Sequence, residues 1–557
     1  MIIGLDVGGT HTDVVLLGAK GLVREVKVPT DPSNLFETVL TGLRKITEGI
    51  DSKKITRAVF STTLTTNAVV QKKFPPVGII VTAGPGLDPA LFRIGAHYHI
   101  VAGAIDHRGR ELTPIDPDEV DQVAQALKKE GIQYVAVTGK FATRNPAHEL
   151  AVKKQLASQF DRVFLSHELS GNLNFPRRIA TTYLNAAVFP VHRAFFEAVE
   201  HSMGERGLNL PIRILKPDGG NMGMDASIDF PGYTILSGPA ASVMGAISHA
   251  AKDSESLVLD IGGTTTDMAL LINGVPLLDP KGIELAGFKT LIRAMQTQSL
   301  GLGGDSAISV TDGKLSIGPE RKGPAMAFGG PAPTPTDALF VMGKLADGDR
   351  DRAAEGIQSI ADALNKPPAQ TAQDIFDLTC RRIFSAAQAM INQVNSKPVY
   401  TVHELLEGHQ VKPKEILVLG GPAAQFADHL STISGLNAKI VPNHKVANAI
   451  GAGLARTTCE VTLFADTQIG MAMSPEENIS LPIDKSFDSE NAEEMALDLL
   501  KTRAIKLGAD PDRLDMEVIE NMQFNMVRGF YTAGKNIRVK VQIKPGLIQG
   551  DELFSDG

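Results

Sequence analysis

The sequence predicts an α/β protein with two similarly planned halves and a small C-terminal α+β region. Three observations carry this expectation. The stretch Leu5-Asp6-Val7-Gly8-Gly9-Thr10-His11-Thr12-Asp13-Val14-Val15-Leu16-Leu17 recurs as Leu259-Asp260-Ile261-Gly262-Gly263-Thr264-Thr265-Thr266-Asp267-Met268-Ala269-Leu270-Leu271, with nine of thirteen positions identical. Strand-length apolar runs alternate with longer helical patterns over most of the first 460 residues, as in a sheet flanked by helices. Beyond about residue 460 the pattern changes to one amphipathic helix followed by strands. The expected units are residues 1–175, 176–460 and 461–557, because the chain is too long for one core of about 100–200 residues.

Taken in order, Met1–Leu5, Val14–Leu17 and Leu22–Val28 are three successive apolar runs of strand length. Arg57–Phe60, Val77–Val81, Tyr134–Val137 and Arg162–Leu165 continue the strands, with helices near Asn34–Glu48, Pro117–Lys129 and Pro146–Gln159. A long helical pattern over Pro176–Met203 leads to strand Ile212–Leu215 and helix Pro239–Ala251. The second hairpin follows, with Ser256–Leu259 as its first strand and Val275–Leu278 as a third. Residues 301–345, rich in glycine and proline, are expected to form a long irregular insertion. Helices Asp349–Leu364 and Thr371–Asn395, strand Glu415–Leu419 and a small-residue helix over Val446–Arg456 complete the second half. The last region holds helix Glu490–Leu507, strands Met516–Ile519, Met526–Phe530 and Ile537–Ile543, and a loose tail over Leu547–Gly557.

The repeated hairpin has the chemistry of a phosphate cradle. Glycine lets backbone N–H groups face an anion with no Cβ in the way. Thr10, His11 and Thr12, like Thr264, Thr265 and Thr266, add donors around the same oxygens. A carboxylate repels phosphate, so Asp6 and Asp260 fit such a site only with a cation between. Mg²⁺ suits, since it binds through one or two carboxylates plus substrate phosphates. A single Gly-Gly-Thr turn is also an ordinary hairpin; the matched pair carries the argument.

Other classes are excluded. The Gly-Lys pairs beginning at Gly139, Gly313, Gly343 and Gly534 are followed by Phe, Leu, Leu and Asn rather than the Ser or Thr of a P-loop. Gly301-Leu302-Gly303-Gly304-Asp305-Ser306 lacks the last glycine of a dinucleotide fingerprint. A net charge of −8 without Lys/Arg runs gives no general attraction to nucleic acid or anionic membrane. No apolar run approaches the length of a membrane span, and Met1 enters the first strand at once, so a cytoplasmic location is expected. Cys380 and Cys459 have no neighbouring cysteine and read as reduced thiols. His97 and His99 share one face of a possible strand but lack a third ligand, and read as structural or surface residues.

Two Asp-x-Gly-Gly-Thr hairpins, the Gly420-Gly421-Pro422 turn and two small-residue helices together resemble the acetate and sugar kinase, heat-shock chaperone and actin superfamily. The helices are Ser237–Ala246 and Ala447–Gly453. The resemblance narrows to the hydantoinase and oxoprolinase A-type subunits through Ser61–Ala68, Asp218-Gly219-Gly220, Leu236–Ala241, Gly301–Ser306 and Gly329-Gly330-Pro331 leading to Thr336-Asp337-Ala338. It covers residues 1 to about 460.

This resemblance implies two ribonuclease-H-like domains of the actin-like ATPase superfamily closing on ATP and Mg²⁺, with the C-terminal region appended. It implies ATP-dependent opening of a small cyclic amide such as a hydantoin or 5-oxoproline. Asp6 and Asp260 would organise the metal, and Asp305 would act on the substrate. Gly8, Gly9, Thr10, His11, Thr12, Gly262, Gly263, Thr264, Thr265, Gly303, Gly304, Gly420 and Gly421 would hold the nucleotide. Thr62, Thr63, Thr65 and Asn67 either bind a polar ring or cap a helix. A B-type subunit is an implied partner, and an oligomer is expected. Rival readings are a small-molecule kinase and a nucleotide-driven conformational module acting on a protein partner.

Overall fold

A computed structural model describes residues 1–31, 33–205, 207–279, 281–396 and 410–548; the expected C-terminal tail lies almost wholly outside them. The first sheet has the strand order 221–223, 212–215, 57–62, 2–7, 11–18, 21–29. Ile2–Val7 and Val14–Leu17 are nearly continuous apolar runs and are buried accordingly. Gly21–Pro29 alternates, with Val28 buried and Arg24, Val26 and Glu25 partly or wholly exposed, as a strand at a sheet edge does.

The third sheet repeats the plan. Glu255–Ile261 pairs antiparallel with Thr266–Ile272, as Ile2–Val7 pairs with His11–Gly18. In both copies the first strand also takes a parallel neighbour, Arg57–Thr62 in one and Glu415–Leu419 in the other. Each neighbour then takes another parallel strand, Ile212–Leu215 or Asn437–Ile440. Ile212–Leu215, which the expected boundary at residue 176 assigns to the second unit, therefore belongs to the sheet of the first.

Strands Val77–Thr82, His97–Ile100, Tyr134–Gly139 and Arg162–Leu165 form a separate all-parallel sheet rather than extending the first. Val77–Thr82 and Tyr134–Gly139 are buried along their whole length, as strands covered on both faces are. Helix Phe175–Glu205 links the two sheets: Phe175, Ile179, Leu184 and Phe189 pack on the parallel sheet, and Phe196, Val199 and Met203 on the first.

Residues 301–345 are more ordered than expected. They contain the hairpin Ile308–Thr311/Lys314–Ile317, turned at Asp312-Gly313 with both residues at positive φ, and helix Pro335–Val341 capped by Thr334 and Asp337. The two strands have only four residues each, too few to show a period.

The C-terminal sheet has the order 479–482, 471–474, 460–466, 531–543, 516–528. Helix Ser489–Lys506 buries Ala492, Ala496, Leu500 and Ala504 against it, one residue per turn. The separate strands expected at Met516–Ile519 and Met526–Phe530 are one strand, Met516–Arg528, broken in pattern by Glu520 and Asn521 and by a register shift between Val518 and Glu520.

Candidate functional site

Both hairpin turns have the same geometry. Gly8 N donates to His11 O at 3.1 Å, and Gly262 N to Thr265 O at 2.9 Å. Asp6 pairs across its hairpin with Asp13, and Asp260 with Asp267. A Cβ on Gly9 would meet nothing within 4 Å, so its backbone is open. A Cβ on Gly263 would lie 2.7 Å from Asp305 Oδ2 and 3.8 Å from Thr10 Oγ1, which shows that the two turns face each other with Asp305 beside them.

What brings them together is a crossing of two helices. Ser237–Ala246 packs on the third sheet, with Ala240, Val243 and Met244 against Val258, Leu271 and Leu417. Ala447–Leu454 packs on the first sheet, with Ala449, Ile450 and Leu454 against Val15 and Leu17. The helices meet backbone to backbone: a Cβ on Gly451 would lie 2.3 Å from Gly245 N, and one on Gly245 would lie 2.3 Å from Ala447 O. A Cβ on Gly4 would similarly strike Ala449 O at 2.0 Å. The small residues are required by this closeness.

The crossing places Asn448 between the two acids. Its Nδ2 donates to Asp260 Oδ2 at 3.0 Å and to Asp6 Oδ2 at 3.4 Å, and Ser242 Oγ donates to Asp260 Oδ2 at 2.6 Å. Burial pushes the Asp6 carboxyl up to about 7, with Asp13 and Asp260 adding to the shift and the Ser61 and Asn448 hydrogen bonds opposing it. Burial also raises Asp260, and burial with the charge of Asp260 raises Asp267 to about 7. Lys27 Nζ, 2.8 Å from Asp13 Oδ1, answers part of this negative charge. Burial likewise raises Asp305, against the pull of Arg321 Nη2 at 3.3 Å.

Buried carboxylates of like charge beside open glycine backbone suit a divalent cation carrying phosphate. Asp6 and Asp260 supply two carboxylates, and among the described residues no cluster of three or more His, Cys, Asp or Glu is placed to hold a metal on its own. His97 and His99 accordingly belong to no such group. Cys380 and Cys459 are buried thiols, raised by burial, Cys459 to about 11.

The other expected residues fall into distinct positions. Thr10, His11, Thr264 and Thr265 are accessible, whereas Thr12 is buried and shares a 3.0 Å hydrogen bond with Thr30. Gly303 N donates to Ser306 Oγ and Gly304 N to Gly262 O, so both glycines brace the second turn with N–H groups already used. Gly420, at φ +96°, lies against the same turn, where a Cβ would be 2.2 Å from Ile261 O; Gly421 is open. Thr62 hydrogen-bonds Ser237, and Thr65 is buried against Thr234 Oγ1 at 3.0 Å. Thr63 is half-buried and Asn67 exposed, the two bonded at 3.3 Å. Arg321 and Lys27 were not marked by the sequence, and Ser242 and Asn448 only as members of the two small-residue helices. Asn448 had a signal, being the polar residue in an otherwise apolar small-residue helix.

Fold and site define a mixed α/β protein with paired, facing Gly-Gly-Thr turns. Nucleotide-free acetone carboxylase shares the fold, with a TM-score of 0.72 over 99% of this chain and 88% of that one at 18% identity. Residues 2–160 match the hydantoinase/oxoprolinase N-terminal region and residues 178–461 the hydantoinase/oxoprolinase model. The chain belongs to the hydantoinase/oxoprolinase family. Caprolactamase subunit alpha of Pseudomonas jessenii is 25% identical over 81% of this chain and 69% of its own length. 5-Oxoprolinase 1 of Arabidopsis thaliana is 23% identical over 81% of this chain, which spans only 41% of that relative.

Proposed function

We propose that the chain is the nucleotide-binding subunit of an ATP-dependent cyclic amide hydrolase. The observation that supports this best is the pair of identical turns facing each other, with Asp6 and Asp260 joined through Asn448. In this reading the two matching sheets belong to ribonuclease-H-like domains of an actin-like ATPase, the first built from residues 1–175 together with the strands at 212–215 and 221–223 and the second from the rest of 176–460, and residues 461–557 form an appended α+β region. The relatives named for caprolactam and 5-oxoproline hydrolysis support a cyclic amide as substrate.

ATP with Mg²⁺ would supply a transferable phosphoryl group, which converts the amide oxygen into part of a leaving phosphate when water attacks the carbon. The chain's own residues do the rest. Asp6 and Asp260 would hold the cation, and the N–H groups of the Gly8-Gly9-Thr10 and Gly262-Gly263-Thr264 turns would hold phosphate oxygens. Gly420 and Gly421 would let the adenosine lie against backbone. Asp305, raised by burial and next to both turns, is suited to take a proton from the attacking water. Thr63 and Asn67 would meet the amide. ADP leaves on phosphoryl transfer; water adds to the ring carbon, the carbon–nitrogen bond breaks with a proton going to nitrogen, and a second water releases phosphate from the resulting acyl phosphate to leave an amino acid.

A B-type subunit is the proposed partner, in keeping with the relative being one subunit of its enzyme. Among the described residues no helix is long and apolar enough to cross a membrane; a cytoplasmic location belongs to this reading.

The test is Mg²⁺-dependent ATP hydrolysis by the purified chain with and without hydantoin, 5-oxoproline and caprolactam. Stimulation by one amide, lost in Asp6→Ala, supports the reading. A stable phosphorylated product in place of a ring-opened one would show a kinase. Turnover answering only to a protein partner would show a conformational module, and absence of nucleotide binding would overturn the reading.

A further inference from the structure

Neither of the facing turns carries a cation of its own. Residues 6–13 contain no lysine or arginine, and neither do residues 260–267. A phosphoryl group in transfer spreads negative charge over its outer oxygens, and cationic side chains commonly answer it together with the metal. Among the described residues, the ion pairs to the acids at these turns come from Lys27 and Arg321. Lys27 is committed elsewhere: its Nζ lies 2.8 Å from Asp13 Oδ1 and donates to Lys445 O at 3.4 Å.

Arg321 reaches the turns from the segment that follows the hairpin at 308–317, and backbone bonds hold it there. Asp305 N donates to Gly263 O at 2.7 Å, which fixes Asp305 on the second turn. Two residues on, Ala307 N donates to Glu320 O at 2.8 Å, and Ala307 O accepts from Gly318 N at 2.8 Å. This pairing seats Arg321 opposite Asp305, with Nη2 3.3 Å from Asp305 Oδ2. Burial, with the charges of Lys27 and then Arg321, lowers the His11 imidazole. The guanidinium therefore acts on the first turn as well as the second.

The contact with Asp305 is a loose one. Charge-assisted N–H···O bonds close to about 2.7–2.9 Å, and an arginine can use both prongs of its fork; here one nitrogen makes one long bond. The Arg321 side chain stays 26% exposed, against 15% for Asp305, so it is open to a second acceptor. A phosphate offers the fork two oxygens and more charge than the single carboxylate oxygen it now meets. With adenosine at Gly420-Gly421 on the second sheet, phosphates running towards the first turn bring the last of them nearest to His11, and so to Arg321.

We infer that Arg321 binds the terminal phosphate of the nucleotide, exchanging Asp305 for it, and makes the site selective for a triphosphate over a diphosphate. The exchange also frees Asp305 Oδ2 at the moment a triphosphate is in place. This rests on the nucleotide reading of the facing turns.

The test is calorimetric titration of the full chain, in Mg²⁺, with ADP and with the non-hydrolysable triphosphate adenylyl imidodiphosphate. The wild-type chain should bind the triphosphate more tightly. Arg321→Met, or Arg321→Gln should the first unfold early, should weaken the triphosphate about tenfold or more and leave ADP within about twofold. Arg321→Lys, which keeps the charge without the fork, should restore part of the loss. A wild-type preference for triphosphate in the folded Arg321→Met or Arg321→Gln chain would overturn the proposal. Equal weakening of both nucleotides, the mark of an arginine that only braces its loop, would do the same. Binding of neither nucleotide by the wild-type chain would overturn the nucleotide reading itself, and this inference with it.

Discussion

Asn448 Nδ2 lies 3.0 Å from Asp260 Oδ2 and 3.4 Å from Asp6 Oδ2, so one side chain touches the acids of both hairpins. Its hydrogen bonds favour the charged form of each carboxylate. Asn448→Ala should therefore raise both acids further and move the acid limb of the ATPase pH profile to higher pH. Loss of hydrogen bonds to charged groups should also lower kcat/KM by about 10-fold to 100-fold. The profile of rate against pH for the two chains checks both effects.

Asp6 makes the ligand-free protein sensitive to pH. Its folded carboxyl is raised from an ordinary 3.8 to about 7, so between those values the folded state holds a proton that the unfolded state has lost. Stability then falls as pH rises from about 4 to about 7. Asp6→Asn removes this dependence, and its Tm should exceed that of the wild-type chain above pH 7 by roughly 2–4 °C. Mg²⁺ with nucleotide should close the gap by stabilising the ionised wild-type acid. Thermal unfolding across the pH range, with and without Mg²⁺ and ATP, measures both.

Two glycine substitutions should separate binding from folding. A Cβ at Gly9 meets nothing within 4 Å, so Gly9→Ala should fold normally while placing a methyl at the proposed phosphate turn and weakening ATP by about tenfold. A Cβ at Gly451 would press on Gly245 N and Ala241 O at 2.3 and 2.5 Å. Gly451→Ala should destabilise by about 2–4 kcal/mol, because backbone cannot yield as a side chain can. Denaturant unfolding and nucleotide titration of each variant show the contrast.

The threonine run should divide in the same manner. Thr65 is buried and bonded to Thr234, so Thr65→Val leaves Thr234 without one partner and should cost about 1–2 kcal/mol of stability. Asn67 is exposed, and Asn67→Ala should leave the Tm within about 1 °C. Its effect should appear as a raised KM for the stimulating amide, read from amide-dependent ATP hydrolysis.

Much of this organisation was legible in the chain. The repeat announced two equivalent turns because glycine and threonine at those positions have a local backbone reason. Strands such as Val14–Leu17 showed as unbroken apolar runs because both faces are covered. The Gly and Ala of residues 447–453 marked a close helix contact, since only small side chains permit one. Less legible was the long hairpin Met516–Ile543, whose outer strand leaves Phe524 and Val527 60% and 64% exposed; with little core to face, it follows no burial period. The hairpin at 308–317 was too short for periodicity to show.

The sequence by itself determined the two turns, the residue types around them and the family's motifs, because these depend on neighbours within a few positions along the chain. Only the tertiary structure decided that Thr10 faces Gly263, that Asp305 sits beside both, and that Asn448 joins Asp6 to Asp260. It also decided that Ile212–Leu215 completes the first sheet and that Arg321 meets Asp305. These relations join residues up to 442 positions apart. Packing of the two crossed helices sets them, and no local pattern of side chains records which distant surfaces that packing brings into contact.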